Sequence, residues 1–299
     1  MKPTADGDGT VSWRELLDET ETRLADAGLE RPELDARRLI EAATGRAGAE
    51  LVLALDQPAT QRGVAHLDVM VERRRGGEPL QYVIGSWGFR TLDLMVDRRV
   101  LIPRPETETV VEHALAHLDL LRADRPGSAL RVVDLGTGSG AIALALAAER
   151  GRLEIWATDA SADALAVASA NLAGLGRRGA VVRLVQGSWF EALPIELAGS
   201  FDLVVSNPPY VAATDPLPAE VVDWEPHQAL VSGPTGLESI EQVVAAAPTW
   251  LGPHGALVVE LAPHQADAAS ALARAAGFAR IRVEPDLGGR PRTLVARLA

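Results

Sequence analysis

The sequence predicts an α/β protein: a mostly parallel sheet covered by helices on both faces, preceded by a small helical domain. Three observations carry this. From Leu130 onward, short β-branched apolar runs alternate with helical segments. The first of those runs breaks into a glycine turn, "VVDLGTGSG", Val132 to Gly140. Ahead of them, residues 11–77 show no such runs, and their apolar positions recur at helical spacing instead.

The helical part opens with "SWRELLDETETRLADAGL", which puts Trp13, Leu16, Leu17 and Leu24 at helical spacing, with Ser12 as a cap and Gly28 as a stop. "RPELDARRLIEAATG" repeats the logic, with Pro32 near its start and Gly45 at its end. "HLDVMVERRRGG" is a third piece. A plain bundle and a docking module fit residues 11–77 equally well. The stretch "PLQYVIGSWGFRTLDLMVDRRVLI" then alternates, and Gly85 and Gly88 suggest a turn, so residues 78–102 are read as a β-hairpin linker. "PRPETE", Pro103 to Glu108, opens the helix "TETVVEHALAHLDLL", whose first turn Glu106 and Glu108 suit through the helix dipole.

Residues 103–299 then form the α/β domain. Its strands are "RVVDLG", "LEIWATD", "AVVRLVQG", "FDLVVSN" and "GALVVEL", with helices such as "AIALALAAER" and "ADALAVASANLAGLG" between them. The end breaks the rhythm. "ARIRVEPD" and "TLVARLA" are two strands with only "LGGRPR" between them, so the last pair is expected to be antiparallel.

Composition narrows the class. A chain of 299 residues suggests two domains, and 47% hydrophobic with 23% charged residues marks a globular protein. The absence of cysteine excludes disulfides and thiolate metal sites and suits a reducing compartment, so the expected location is the cytoplasm. The N-terminus has no apolar core that would mark a secretory signal, and the longest apolar run, Ala141 to Ala148, is far shorter than the roughly 20 residues that span a bilayer. A net charge of −12 weighs against a nucleic-acid partner. Lys2 is the only lysine, and the other 28 basic residues are arginines, which reads as genomic composition bias.

Chemistry concentrates at the strand ends. Gly136, Gly138 and Gly140 remove side chains where backbone must approach a ligand closely. The spacing is G-x-G-x-G, not the G-x-G-x-x-G of dinucleotide sites. Asp159 closes the second strand, where a carboxylate can accept both hydroxyls of a ribose, and it can also brace the helix that follows. Trp189, after the third strand, suits a purine face or a core position equally. Together these outline an adenosine site, without the Walker lysine of ATP hydrolysis.

The fourth strand ends in "FDLVVSNPPYV". Pro208 holds Asn207 extended, and neither Pro208 nor Pro209 has an N–H. The Asn207 side-chain oxygen and a proline carbonyl therefore become converging acceptors, suited to a planar –NH₂ group, with Tyr210 offering a ring beside it. The pair "HALAH", His113 and His117, has i, i+4 spacing but no third ligand, so it is read as a solvated helix face and no metal is expected.

"DLGTGSG", Asp159 and "SNPPY" together resemble a class I methyltransferase dependent on S-adenosylmethionine, of the amino-methylating type. "GEPLQYVIGSWGF", "VLIPRPETE", "WEPHQAL", "GPTGLESI" and "DLGGRPR" narrow the resemblance to the glutamine methyltransferases of peptide chain release factors, from about Val11 to the C-terminus. The resemblance implies a Rossmann-like class I methyltransferase sheet. It also implies transfer of a methyl group from S-adenosyl-L-methionine, leaving S-adenosylhomocysteine, to the side-chain amide nitrogen of the Gly-Gly-Gln glutamine in class 1 release factors. Gly136, Thr137, Gly138, Ser139, Gly140, Asp159 and Trp189 would hold the cofactor, with Asn207 near it. Asn207, Pro208, Pro209 and Tyr210 would hold the glutamine, and Asn207, Pro208 and Tyr210 would be catalytic. The helical domain would dock the release factor. Residues 1–10 fall outside the resemblance and are expected to be a disordered extension.

Three positions depart from the family pattern: Ser188 stands where an acidic residue is usual, Ala262 where glycine is, and Trp224 where tyrosine is common. The expected mechanism is direct in-line transfer without a covalent enzyme intermediate. The expected protein is a monomer with no stable nucleic acid and no membrane partner. Two other readings share the adenosine site: an amino-methyltransferase of nucleic-acid bases, and a non-catalytic adenosine-binding regulator. The acidic balance argues against the first. The intact "NPPY" argues against the second, since a pure binder has no use for an amide clamp.

Overall fold

The computed structural model describes residues 10–299. The extension expected over residues 1–10 therefore lies outside the described residues except for Thr10. The chain divides into two compact units after Gly85.

The first unit is helical. Ser12 caps α1 (Trp13–Asp26) reciprocally: its hydroxyl accepts from Glu15 N at 3.3 Å, and Glu15 Oε2 takes the Ser12 N–H at 2.7 Å. α2 (Pro32–Thr44) starts on Pro32 and ends on Gly45 at φ 67°. α3 (Gly48–Ala54), α4 (Gln61–Arg75) and α5 (Leu80–Ile84) follow. Trp13, Leu24, Leu39, Ile40, Leu67 and Met70 form the core. Within it Asp35 meets Arg74 at 2.7 Å, which ties α2 to α4.

α5 differs from the sequence expectation, which read its alternation as strand. Pro79 precedes it, Gly85 closes it at φ 84°, and Leu80, Tyr82 and Val83 are buried on one helical turn. Only after it does the expected hairpin form, from β1 (Ser86–Phe89) and β2 (Leu92–Met95), at the start of the second unit. Its turn is at Arg90, φ 52°, and Gly88 lies inside a strand.

The remaining elements are α6 (Pro105–Asp124), β3 (Leu130–Leu135), α7 (Ala141–Glu149), β4 (Leu153–Asp159), α8 (Ala162–Gly174), β5 (Val182–Gln186) and β6 (Phe201–Ser206). Then come β7 (Val211–Ala212), α9 (Ala219–Trp224), β8 (Val231–Gly233), α10 (Glu238–Trp250), β9 (Leu251–Glu260), α11 (Ala266–Ala275), β10 (Arg280–Pro285) and β11 (Pro291–Arg297). Seven strands form one sheet in the order β10-β11-β9-β6-β3-β4-β5. Five are parallel, and β11 runs antiparallel to both β9 and β10, as the helix-free ending predicts. One apolar layer packs α6 and α7 against one face of the sheet, and a second packs α10 and α11 against the other. This is the class I methyltransferase fold. Among the described residues no helix is long and apolar enough to cross a membrane.

The order of strands decides where a ligand can bind. The chain moves from β3 to β4 to β5 in one direction, then returns to place β6 on the other side of β3. The crevice at such a reversal lies beyond the carboxyl ends of the strands. Register sets what meets there. Leu135 pairs with Ser206, and Ser206 with Val259, so the next row holds Gly136, Asn207 and Glu260 side by side.

Candidate active site

A cavity of about 220 Å³ opens at this crevice. Its lining includes Gly136, Thr137, Gly138, Ser139, Asp159, Trp189, Asn207 and Pro209. Eight residues singled out from the sequence thus share one space, although they come from the ends of β3, β4, β5 and β6.

The glycine turn is held from beneath. Thr158 O accepts from both Gly136 N and Thr137 N at 2.9 Å. Gly136 has φ 71°, and a Cβ there would come within 3.3 Å of the Trp189 ring, so glycine lets the indole lie over the turn. Asp159 braces the same loop: Oδ2 accepts from Gly138 N at 2.8 Å and Oδ1 from Ser161 N at 2.9 Å. Burial pushes its carboxyl upward, against the pull of those two N–H groups. Each oxygen keeps a second lone pair, so the pair of oxygens can accept from the two hydroxyls of a ribose diol. The Trp189 indole also packs on the apolar layer beside α10, so purine face and core are both open to it.

Gly140, Pro208 and Tyr210 stand outside the lining. Gly140 has φ 85° and lies against Leu144 and Ala168, where its missing side chain lets α7 start close to α8. Pro208 is buried. Tyr210 turns its hydroxyl to Glu260 Oε1 at 3.2 Å, and burial together with that carboxylate raises its pKa. Among the described residues no backbone N–H donates to Pro208 O or Pro209 O.

Several residues of the site had no role assigned to them from the sequence. Thr107, at the start of α6, lines the cavity; its hydroxyl donates to Glu260 Oε2 at 2.7 Å and accepts from Asn207 Nδ2 at 3.1 Å. Glu260 is fully buried, and burial pushes its carboxyl up to about 7. Asp134 is likewise fully buried and pushed up to about 7; it takes Thr137 Oγ1 at 2.6 Å and Ala143 N at 3.1 Å, fixing the turn to α7. Asn171 clamps the turn to the hairpin: Nδ2 donates to Ser139 O at 2.9 Å and Met95 O at 3.0 Å, and Oδ1 accepts from Met95 N at 2.7 Å. Glu225, from the "WEP" run, accepts from Ile102 N at 3.2 Å and from the Arg104 guanidinium.

The histidine pair corrects the sequence reading. His117 is 2% exposed, with Nε2 3.1 Å from Asp202 O, and burial pushes its pKa down to about 4. This face of α6 lies on the sheet, not in solvent. Of Ser188, Ala262 and Trp224, only Ser188 lines the cavity.

A family model for a PrmC N-terminal domain matches residues 15–85, and one for a methyltransferase small domain matches residues 115–222. The release factor glutamine methyltransferase of Xylella fastidiosa is 44% identical over 276 residues, covering 92% of this chain and 96% of that protein. The protein of the same name from Agrobacterium fabrum is 39% identical over 298 residues, covering 97% and 98%. Among solved structures, the hMettl16 catalytic domain in complex with an RNA hairpin matches with a TM-score of 0.51 over 82% of this chain and 84% of that one. It is 14% identical, so the likeness is one of fold alone.

Proposed function

The chain belongs to the release factor glutamine methyltransferase family, and on that premise we propose that it methylates the side-chain amide nitrogen of the Gly-Gly-Gln glutamine in class 1 release factors, using S-adenosylmethionine. The observation that carries this reading is a single cavity uniting the glycine turn, the Asp159 carboxylate and the Asn207 amide. The residues present suit the cofactor. Asp159 offers lone pairs to a ribose, the glycine turn admits a close ligand, and Trp189 offers a face to a purine. When bound, S-adenosylmethionine supplies a methyl group on a positively charged sulfur.

The protein's part is to bind and orient the acceptor. An amide nitrogen is a poor nucleophile because its lone pair is delocalised. Asn207 Oδ1 and a proline carbonyl can take its two N–H bonds, turn the lone pair toward the electrophile and stabilise positive charge as it develops on nitrogen, which sheds one of those protons to water after the N–C bond has formed and the C–S bond has broken. Positioning of this kind can lower a barrier by about 7–11 kcal/mol. Asp134 and Asn171 hold the glycine turn still while Thr107 holds Asn207. The −12 net charge supports a monomer that keeps no stable nucleic-acid partner, and the absence of cysteine suits the cytoplasm.

The test uses radiolabelled S-adenosylmethionine with four acceptors: a purified release factor, the same factor with Ala for its loop glutamine, ribosomal RNA and duplex DNA. Label on the unmutated factor alone is expected. Label on RNA or DNA, with none on the factor, overturns the substrate while leaving the fold and the amide clamp.

A further inference from the structure

The site contains a buried polar chain that the transfer chemistry does not explain. Asn207 Nδ2 donates to Thr107 Oγ1 at 3.1 Å. Thr107 Oγ1 donates to Glu260 Oε2 at 2.7 Å, and Tyr210 donates its hydroxyl to Glu260 Oε1 at 3.2 Å. Its members come from the start of α6, the segment after β6 and the end of β9, and Glu260 is 0% exposed.

The direction of these bonds has a consequence for Asn207. A hydroxyl has one proton. Thr107 gives it to Glu260 Oε2, the oxygen that accepts it in this structure at 2.7 Å. What Thr107 turns toward Asn207 is therefore a lone pair, and only the –NH₂ end of a carboxamide can meet it. A flipped amide would set oxygen against oxygen. With Nδ2 committed, Oδ1 is the atom left for a ligand, and no described residue donates to it. An acceptor clamp for an amide substrate works in this orientation and fails in the other, where –NH₂ would face –NH₂.

We propose that Thr107 and Glu260 are positioning residues for the transfer, which set the Asn207 carboxamide with its oxygen toward the substrate. The inference rests on the glutamine-methylating reading above. It assigns a role to Thr107 within "PRPETE" and to Glu260 at the end of β9 that goes beyond packing. Tyr210 completes the arrangement by occupying the second carboxylate oxygen, which leaves Oε2 to Thr107.

The experiment compares Thr107→Val, which keeps the shape and loses the hydroxyl, with Thr107→Ser, which keeps the hydroxyl and loses a methyl. Steady-state methylation of a purified release factor gives kcat and KM, and calorimetry with S-adenosylhomocysteine gives cofactor affinity. For Thr107→Val, kcat is expected to fall by about tenfold or more while KM and the cofactor Kd stay within about threefold; Thr107→Ser should restore kcat to within about threefold of wild type. Wild-type kcat in Thr107→Val overturns the inference. So does an equal loss in Thr107→Ser, which would make the methyl contact, not the hydroxyl, the active feature. If circular dichroism shows that Thr107→Val does not fold, Thr107→Ala is read in its place with the same expectation. Wild-type protein that labels no release factor fails the functional reading and takes this inference with it; active wild type with an unaffected variant fails the inference alone.

Discussion

Asp159 Oδ2 accepts the Gly138 N–H at 2.8 Å, so the carboxylate that ends β4 holds the glycine turn that follows β3. The bond crosses between neighbouring strands and couples two parts of the site that the sequence separates by 21 residues. Asp159 therefore has two tasks, bracing the loop and offering acceptors to a ribose, and replacing it should disturb both.

Asp159→Asn tests that coupling. Asparagine has one acceptor oxygen where two backbone N–H groups now point, so one of Gly138 N and Ser161 N loses its partner. Stability of the apo protein should fall by about 1–3 kcal/mol, the cost of an unsatisfied buried donor. Affinity for S-adenosylhomocysteine should fall further, by about tenfold or more, equivalent to about 1.4 kcal/mol. Calorimetry and thermal unfolding measure the two separately. Affinity within about twofold of wild type would remove Asp159 from ribose recognition and leave it as a brace.

Asn207→Ala separates binding from turnover. The substitution removes the acceptor on which the amide clamp depends, while Gly136, Asp159 and Trp189 remain. Methylation of a release factor should fall by about 10²-fold or more, as for loss of one preorganised group at a developing charge. Binding of S-adenosylhomocysteine should persist. Turnover like that of the wild type would rule out the clamp as the source of rate.

His117 makes a prediction about acid stability. Its folded pKa is pushed down to about 4, chiefly by burial and then by the nearby Arg297, while an unfolded histidine titrates near 6.5. Above about pH 6.5 both states are neutral and the group has no effect on stability. Between there and pH 4 the unfolded state binds the proton first, so stability is lost as pH falls, by up to about 3 kcal/mol. His117→Gln should flatten this part of the stability curve, as followed by urea unfolding between pH 7 and pH 4. An unchanged slope would mean that His117 charges in the native state as readily as in the unfolded one.

The parts of the site that were legible in the sequence share a cause: each is fixed by local spacing at a strand end. Gly136, Asp159 and Asn207 follow directly from runs of strand residues, and a parallel sheet brings such ends to one edge. Glu260 was not legible. It ends "ALVVE" as a solvated acid might, and its place beside Asn207 follows from the pairing of Ser206 with Val259, a register that no local pattern encodes. Thr107 depended on how α6 docks at that edge, where its hydroxyl meets both Glu260 and Asn207. His117 was misread because its i, i+4 spacing with His113 was weighed by itself, whereas the buried stripe of Val110, Val111, Ala114, Leu115, Leu118 and Leu121 already places His117 on its edge, beside Val110 and Ala114. α5 was misread because five residues between a proline and a glycine satisfy alternation and a helical turn alike.

Glu225 supports a last prediction about the mouth of the cavity. It is 6% exposed and accepts from Ile102 N at 3.2 Å and from the Arg104 guanidinium. Beside it the Arg98 guanidinium lies 5.4 Å over the Trp224 ring. These contacts join residues 98–104 to residues 224–229, and both stretches line the cavity, through Val100, Leu101 and Pro103 on one and Pro226, Gln228 and Ala229 on the other. Glu225→Ala leaves a buried N–H and a guanidinium without their acceptor, a cost of about 1–3 kcal/mol. The two stretches should then part more readily, and S-adenosylhomocysteine should dissociate faster by about tenfold, a change visible in stopped-flow tryptophan fluorescence. Glu225→Gln, which keeps an acceptor for Ile102 N, should fall between. Glu149→Ala is the control. Glu149 takes Arg90 Nη2 at 2.9 Å away from the cavity lining, so its loss should lower stability without changing dissociation. Equal dissociation rates in Glu225→Ala and Glu149→Ala would reduce Glu225 to a structural ion pair. A rate that rises only in the former would make the Glu225 contacts the fastening that keeps the cofactor in place while the amide is positioned.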